Sequence, residues 1–237
     1  MLMNRRNVLL SIPLIAGTGM ALSSCGMFDE KESPTPSPTA GTADIVKPSV
    51  QVQEIDGVQY DMTEQFLSIG SFTAENKLRI YEDLQCPYCK DLKKEIIEDV
   101  KQLVNDEKLI VEFVVVNYLG VRSTNAWSEQ TANLLAVVAN SQPDKFIDVQ
   151  KVLYDNQPDK RNTDPFTGEQ LRKMVGEVIE FSAEEIQQID DGTYISWVNE
   201  VVNPFAAENE VSSIPTVVWN ETVLEDYNSI VDELAKL

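Results

Sequence analysis

Cys86 and Cys89 are separated only by Pro87 and Tyr88, and two thiols at this spacing can close a disulfide and hand it on. The attacking species in disulfide exchange is the thiolate. The chemistry therefore needs one sulfur held ionised and a second within reach. Lys77 to Asp83 reads as a strand that ends at the motif, and Pro87 to Asn105 reads as a helix. In that helix Cys89, Leu92, Ile96, Val100 and Leu103 recur at three- and four-residue steps. Pro87 takes the first helical position, where a missing N–H costs nothing. Cys86 then occupies the N-cap, where free backbone N–H groups and the positive end of the helix dipole favour its thiolate. Cys89 falls one turn inward on the apolar face and is expected to be buried and less acidic. It can attack a mixed disulfide at Cys86 and release the product; the reverse sequence transfers a disulfide to a substrate.

Composition narrows the alternatives. The 237 residues include no histidine, which excludes Ser-His-Asp and Cys-His pairs and imidazole zinc sites. With no second CxxC, the motif is not half of a zinc site. The alternative that survives is a non-catalytic binding protein in which Cys86–Cys89 is a structural disulfide. A thiol peroxidase would need a peroxidatic site, for which no pattern is present. Neither a metal nor an organic cofactor is expected. The formal net charge of -20 disfavours nucleic acid and is repelled by anionic lipid, so membrane attachment needs separate means.

The N-terminus offers such means. Asn4-Arg5-Arg6-Asn7 is a short positive segment, and Val8 to Leu22 is an apolar run too short for a spanning helix. It reads as a signal peptide over residues 1–25. Leu22-Ser23-Ser24-Cys25 resembles the bacterial lipobox, which implies lipidation of Cys25 and attachment to the outer face of the bacterial cell membrane. The lipid consumes one of three thiols and leaves Cys86 and Cys89 for the mature domain, in a compartment where disulfides persist. Residues 26–48 read as a tether, in which Asp29 to Pro48 is rich in Ser, Thr and Pro and reaches about 60 Å if extended at about 3.1 Å per residue.

The folded domain is assigned to 49–237. Gln51 to Tyr60 reads as a hairpin turning at Gly57. Leu109 to Leu119 reads as a strand buried on both faces. A helical block follows, with segments at Asn125 to Asn140, Asp144 to Tyr154, Gly168 to Glu180 and Thr193 to Val202. Ser182-Ala183-Glu184-Glu185 opens a further helix as a capping box, and Pro204 is expected to kink or end the last. Thr216 to Trp219, a turn at Asn220-Glu221 and a helix from Tyr227 to Leu237 complete the chain. Trp127 and Trp197 lie at helical core spacing and are expected to be buried, whereas Tyr88 projects from the motif toward substrate.

Tyr81-Glu82-Asp83-Leu84-Gln85-Cys86-Pro87-Tyr88-Cys89-Lys90 closely resembles the active-site segment of DsbA-like thioredoxin-fold proteins. Ile214-Pro215-Thr216 resembles that superfamily's cis-proline segment. The helical block, about 123–209, resembles the insertion that separates DsbA-like proteins from plain thioredoxins, and Phe146 to Gln157 resembles a segment of the exported branch. The resemblance implies an α/β thioredoxin-like fold with a helical insertion. It implies Cys86 as nucleophile, Cys89 as resolving thiol, and a cis Pro215 that helps present the backbone of Ile214 to an extended substrate. The implied partners are exported proteins carrying thiols or disulfides, and a membrane redox partner.

Two departures stand out. Many relatives carry an acid six positions before the first cysteine, to relay a proton to the buried thiol; here that position is Ile80. Glu82 and Asp83 are the neighbouring candidates, although the plain expectation for both is surface charge. Pro-Tyr also replaces the Pro-His of strongly oxidising members. Tyr88 cannot stabilise a thiolate as a protonated histidine does, so a less acidic Cys86 and a less oxidising pair are expected. Lys90 is a further electrostatic candidate, with solubility as its plainer role.

Overall fold

The computed structural model describes residues 45–120, 125–158 and 165–237. The signal peptide, Cys25 and most of the tether lie outside the described residues. The chain runs β1 (Gln51–Ile55), β2 (Val58–Met62), β3 (Leu67–Gly70), β4 (Asn76–Glu82), α1 (Pro87–Asn105) and β5 (Leu109–Val115). The helical insertion follows: α2 (Trp127–Ser141), α3 (Phe146–Asp155), α4 (Gly168–Val175), α5 (Ala183–Asp190), α6 (Ile195–Trp197) and α7 (Asn203–Glu208). It closes with β6 (Thr216–Trp219), β7 (Thr222–Val223) and α8 (Ser229–Leu234).

The strands form one sheet in the order β1-β2-β3-β5-β4-β6-β7, in which only β4 and β5 are parallel. Parallel neighbours need a crossover, and α1 supplies it, packed on β5. This is a thioredoxin-like β4-α1-β5 and β6-β7-α8 frame with a helical block inserted between its halves. The β1–β2 turn at Asp56-Gly57 has positive φ at both residues, as a two-residue hairpin prefers.

Several expectations change, among them the helix from Gly168, which ends at Val175 rather than at Glu180. β3 was not anticipated: its four residues are all buried, so no alternation marks it. Its Gly70 is held at φ +122, where an added Cβ would stand 2.3 Å from the Leu109 carbonyl oxygen; the sheet closes there only around glycine. The strand expected over Leu109 to Leu119 ends at Val115. The Leu119 N–H instead turns to the Asp83 carboxylate at 2.9 Å, and Asn117 bonds with Asn199 and Asn203. Of the kink or end expected at Pro204, the end does not occur. The turn before it widens over Val198–Val202, so that the Asn203 N–H reaches the Val198 carbonyl five residues back, and the chain enters α7 with Pro204 near its start. A wide turn absorbs the N–H that proline lacks.

Candidate active site

The parallel strand β4 delivers the chain to the start of α1 through a tight turn. The Asp83 carboxylate accepts from the Gln85 N–H at 2.7 Å and the Asp83 carbonyl from the Cys86 N–H at 2.9 Å. Cys86 is the N-cap in extended conformation (φ -80, ψ 121), with Pro87 following as the first helical residue. The helical insertion holds this turn from behind. The Trp127 indole donates to the Leu84 carbonyl at 2.9 Å. The Gln157 side-chain amide donates to the carbonyls of Leu84 and Cys86, at 2.6 and 3.0 Å.

The two cysteines are free thiols in unlike surroundings. Cys86 lies beside the exposed Pro87 and Tyr88, the latter 61% exposed, and keeps 4% of its own surface. Its thiol approaches the Ile214 carbonyl at 3.5 Å, and the Ile214–Pro215 bond is cis. Thr216 begins β6, and its hydroxyl fastens the loop by donating to the Ser213 carbonyl at 2.7 Å. The Cys86 pKa falls to about 7. The hydrogen bond from the Cys89 thiol lowers it most, burial opposes, and the N–H groups of Cys89 and Tyr88 lower it further. Cys89 is 1% exposed, and burial pushes its pKa well above that of an ordinary thiol, with the Cys86 charge and Glu82 adding to the effect.

Glu82 and Asp83 are not surface charges; both are fully buried. Glu82 shares the face of β4 that Ile80 takes, two residues further along. Its carboxylate accepts from the Gln150 amide at 2.7 Å and from the Tyr154 hydroxyl at 2.9 Å. Lys93 of α1, itself 4% exposed, stands 3.4 Å from Glu82 with its ammonium over the Phe113 ring at 3.9 Å. Burial lowers the Lys93 pKa, and Glu82 opposes that shift. An acid is thus present behind Cys89 although the position six before Cys86 is apolar. Asp83 points the other way and accepts from Gln85, Leu119 and Ser128. Burial raises its pKa to about 6 against those three bonds.

Lys90 is half-buried and lines a cavity with Lys93. Trp127 and Trp197 are buried, as their spacing indicated. Lys93, Gln150, Tyr154 and Gln157 were not singled out from the sequence. One signal was available: Lys93 stands four residues after Cys89 on the apolar stripe of α1, where a cation needs a buried partner. Among the described residues no group of acidic or cysteine side chains could hold a metal ion.

A family model described as Thioredoxin matches residues 62–237. No curated protein matches in sequence. Among solved structures, reduced DsbA from Mycobacterium tuberculosis superposes with TM-score 0.62 at 21% identity, over 73% of this chain and 91% of that one. Oxidised BdbD from Bacillus subtilis gives 0.61 at 21% identity, over 80% and 95%. MdbA, a thiol-disulfide oxidoreductase from Corynebacterium matruchotii, gives 0.63 at 21% identity, over 74% and 90%.

Proposed function

The chain belongs to the thioredoxin family, in the DsbA-like form with a helical insertion, and from that premise we propose that this thiol–disulfide oxidoreductase exchanges disulfides with exported proteins through Cys86 and Cys89. One observation carries the proposal: the acidified thiol of Cys86 sits at the start of α1, against the Ile214 carbonyl, with a non-acidic thiol one turn behind it. A disulfide that only stapled the fold would have no need of two such unequal sulfurs.

In the forward step the Cys86 thiolate attacks a substrate disulfide, forming a mixed disulfide and expelling one substrate thiolate. Cys89 then gives up its proton, attacks the Cys86 sulfur and releases the second substrate thiolate, leaving Cys86–Cys89 joined. Run backward, the same steps oxidise a substrate dithiol. The partner's redox poise sets the direction. Glu82 takes the role of the missing acid and exchanges the Cys89 proton. Ile214 and Thr216, flanking Pro215, present the loop along which an extended substrate lies, with Tyr88 on its exposed side. Lipidation of Cys25 and the tether of residues 26–48 place the domain on the outer face of the cell membrane, where a membrane redox partner resets the pair.

Trapping tests this directly. Cys89→Ser is expected to accumulate mixed disulfides with exported proteins, all released by dithiothreitol, whereas Cys86→Ser accumulates none and loses exchange activity. Equal trapping by both variants would overturn the assignment of roles. Against glutathione, the pair is expected to poise between about -270 mV and about -120 mV. Cys25→Ser should move the protein out of the membrane fraction.

A further inference from the structure

The sheet has two edge strands, β1 and β7, and an edge offers its unpaired N–H and C=O groups to any strand that fits. β7 is two residues long and offers almost none. β1 runs five residues, in unbroken one-to-one register with β2, and carries no lysine, proline or bulge to guard it. Six large apolar side chains are exposed among the described residues, and three of them, Val46, Val50 and Val52, lie in β1 or just before it. The edge is also held in place. The Ser49 N–H donates to the Asn140 side-chain oxygen at 2.7 Å, and the Gln51 amide donates to the Asn140 carbonyl at 2.5 Å. A strand fixed in advance loses little freedom when it pairs.

The β1–β2 register decides which groups face outward. Antiparallel neighbours alternate between pairs that exchange both backbone bonds and pairs that exchange none. The two-residue turn makes Ile55–Val58 a bonded pair, so Gln53–Tyr60 and Gln51–Met62 are bonded as well. The N–H and C=O of Val52 and Glu54 therefore point away from β2. We propose that β1 pairs with β1 of a second copy, antiparallel about a two-fold axis at Val52. Each Val52 then exchanges both backbone bonds with its counterpart, and Val50 stands opposite Glu54 of the other copy. The valines at 50 and 52 of both copies form one apolar stripe, with the two Glu54 carboxylates at its opposite ends. A shift to the next bonded register would set Val52 against Glu54 and break that stripe. The tether points to a second copy as the occupant: it ends at residue 48 and β1 begins at Gln51, so copies anchored on one surface present these edges to each other. Anchoring raises local concentration as a flexible linker does. A short strand pair needs that help, being small beside the about 1,200 Å² at which stable interfaces begin. It also works against a net charge of -20 on each chain, a repulsion that salt screens.

Sedimentation of the full chain carrying Cys25→Ser, Cys86→Ser and Cys89→Ser tests the pairing apart from any thiol chemistry. The mass is expected to rise from one chain toward two between about 10 μM and about 1 mM, and to do so at lower concentration as salt increases. Val52→Lys is expected to keep the chain single throughout, although it reduces the repulsive charge; Val52 is exposed, so the unfolding midpoint should not move. Val52→Pro, which removes an N–H that bonds nothing within one copy, is expected to do the same. With Val52→Cys as the sole thiol, a short bis-maleimide should join copies about tenfold faster than with Val223→Cys on the exposed β7 edge. A chain that stays single at every concentration and salt would overturn the proposal and leave the edge to some other strand. A dimer that survives Val52→Lys, or equal cross-linking at the two edges, would overturn it as well.

Discussion

Glu82 and Asp83 are neighbours in sequence, both stripped of solvent, and they meet opposite surroundings because a strand sends successive side chains to opposite faces. Glu82 faces α1 and α3 and has a cation, an amide and a hydroxyl around it. Asp83 faces α2 and the chain after β5, where its partners are two backbone N–H groups and the Ser128 hydroxyl. The first arrangement gathers a cation, an amide and a hydroxyl from α1 and α3 onto one carboxylate. The second ties the redox turn to two other segments. One residue of offset at the end of β4 therefore gives two neighbouring acids wholly different partners.

The largest test of that division is to break the ion pair. Glu82→Leu or Lys93→Leu alone leaves an uncompensated buried charge and should cost about 3–5 kcal/mol. The double variant should recover much of that loss, since a buried pair is often replaced by apolar side chains at little cost. Urea denaturation measures all three, and single variants as stable as wild type would mean the pair is hydrated rather than buried.

Asp83 should announce itself through pH. Its folded pKa, about 6, lies above the usual carboxylate value. Between about pH 4 and pH 6 the folded state therefore keeps a proton that the unfolded chain has released. The contribution of Asp83 to stability falls as pH rises through that window, by about 3 kcal/mol in all. Asp83→Asn should remove this fall when denaturation midpoints are compared at pH 4, 5, 6 and 7. A slope identical to wild type would refute the burial of that carboxylate.

The same substitution reaches the front of the helix more gently. Asp83 raises the Cys86 pKa by charge, so Asp83→Asn should shift the midpoint of Cys86 alkylation below the wild-type value near pH 7, while Cys89 stays protected. Iodoacetamide rates across pH 5–9 read both sulfurs. Smallest is Gln157→Ala, at about 1 kcal/mol: the Leu84 carbonyl keeps the Trp127 indole, and the Cys86 carbonyl keeps the Lys90 N–H. A loss above about 3 kcal/mol would make Gln157 the main anchor of the turn.

Much of this was legible from residue order. α1 runs Pro87–Asn105 with Cys86 as its N-cap, because proline position and apolar steps are local signals. The Ser182 and Glu185 capping box formed for the same reason. β3 and the early end of β5 were not legible: the first has no alternation to show, and the second depends on an Asp83 carboxylate 36 residues from Leu119.

By itself the sequence determined where α1, α4 and α5 begin, which thiol sits at a helix start and which lies one turn inside, since each depends on atoms a few residues apart. Only the tertiary structure decided that two acids expected at the surface are buried. The partners that make this tolerable, Gln150 and Tyr154, stand 68 and 72 residues from Glu82. Burying a charge is costly until its partners converge on it, and that convergence exists only once the chain is folded.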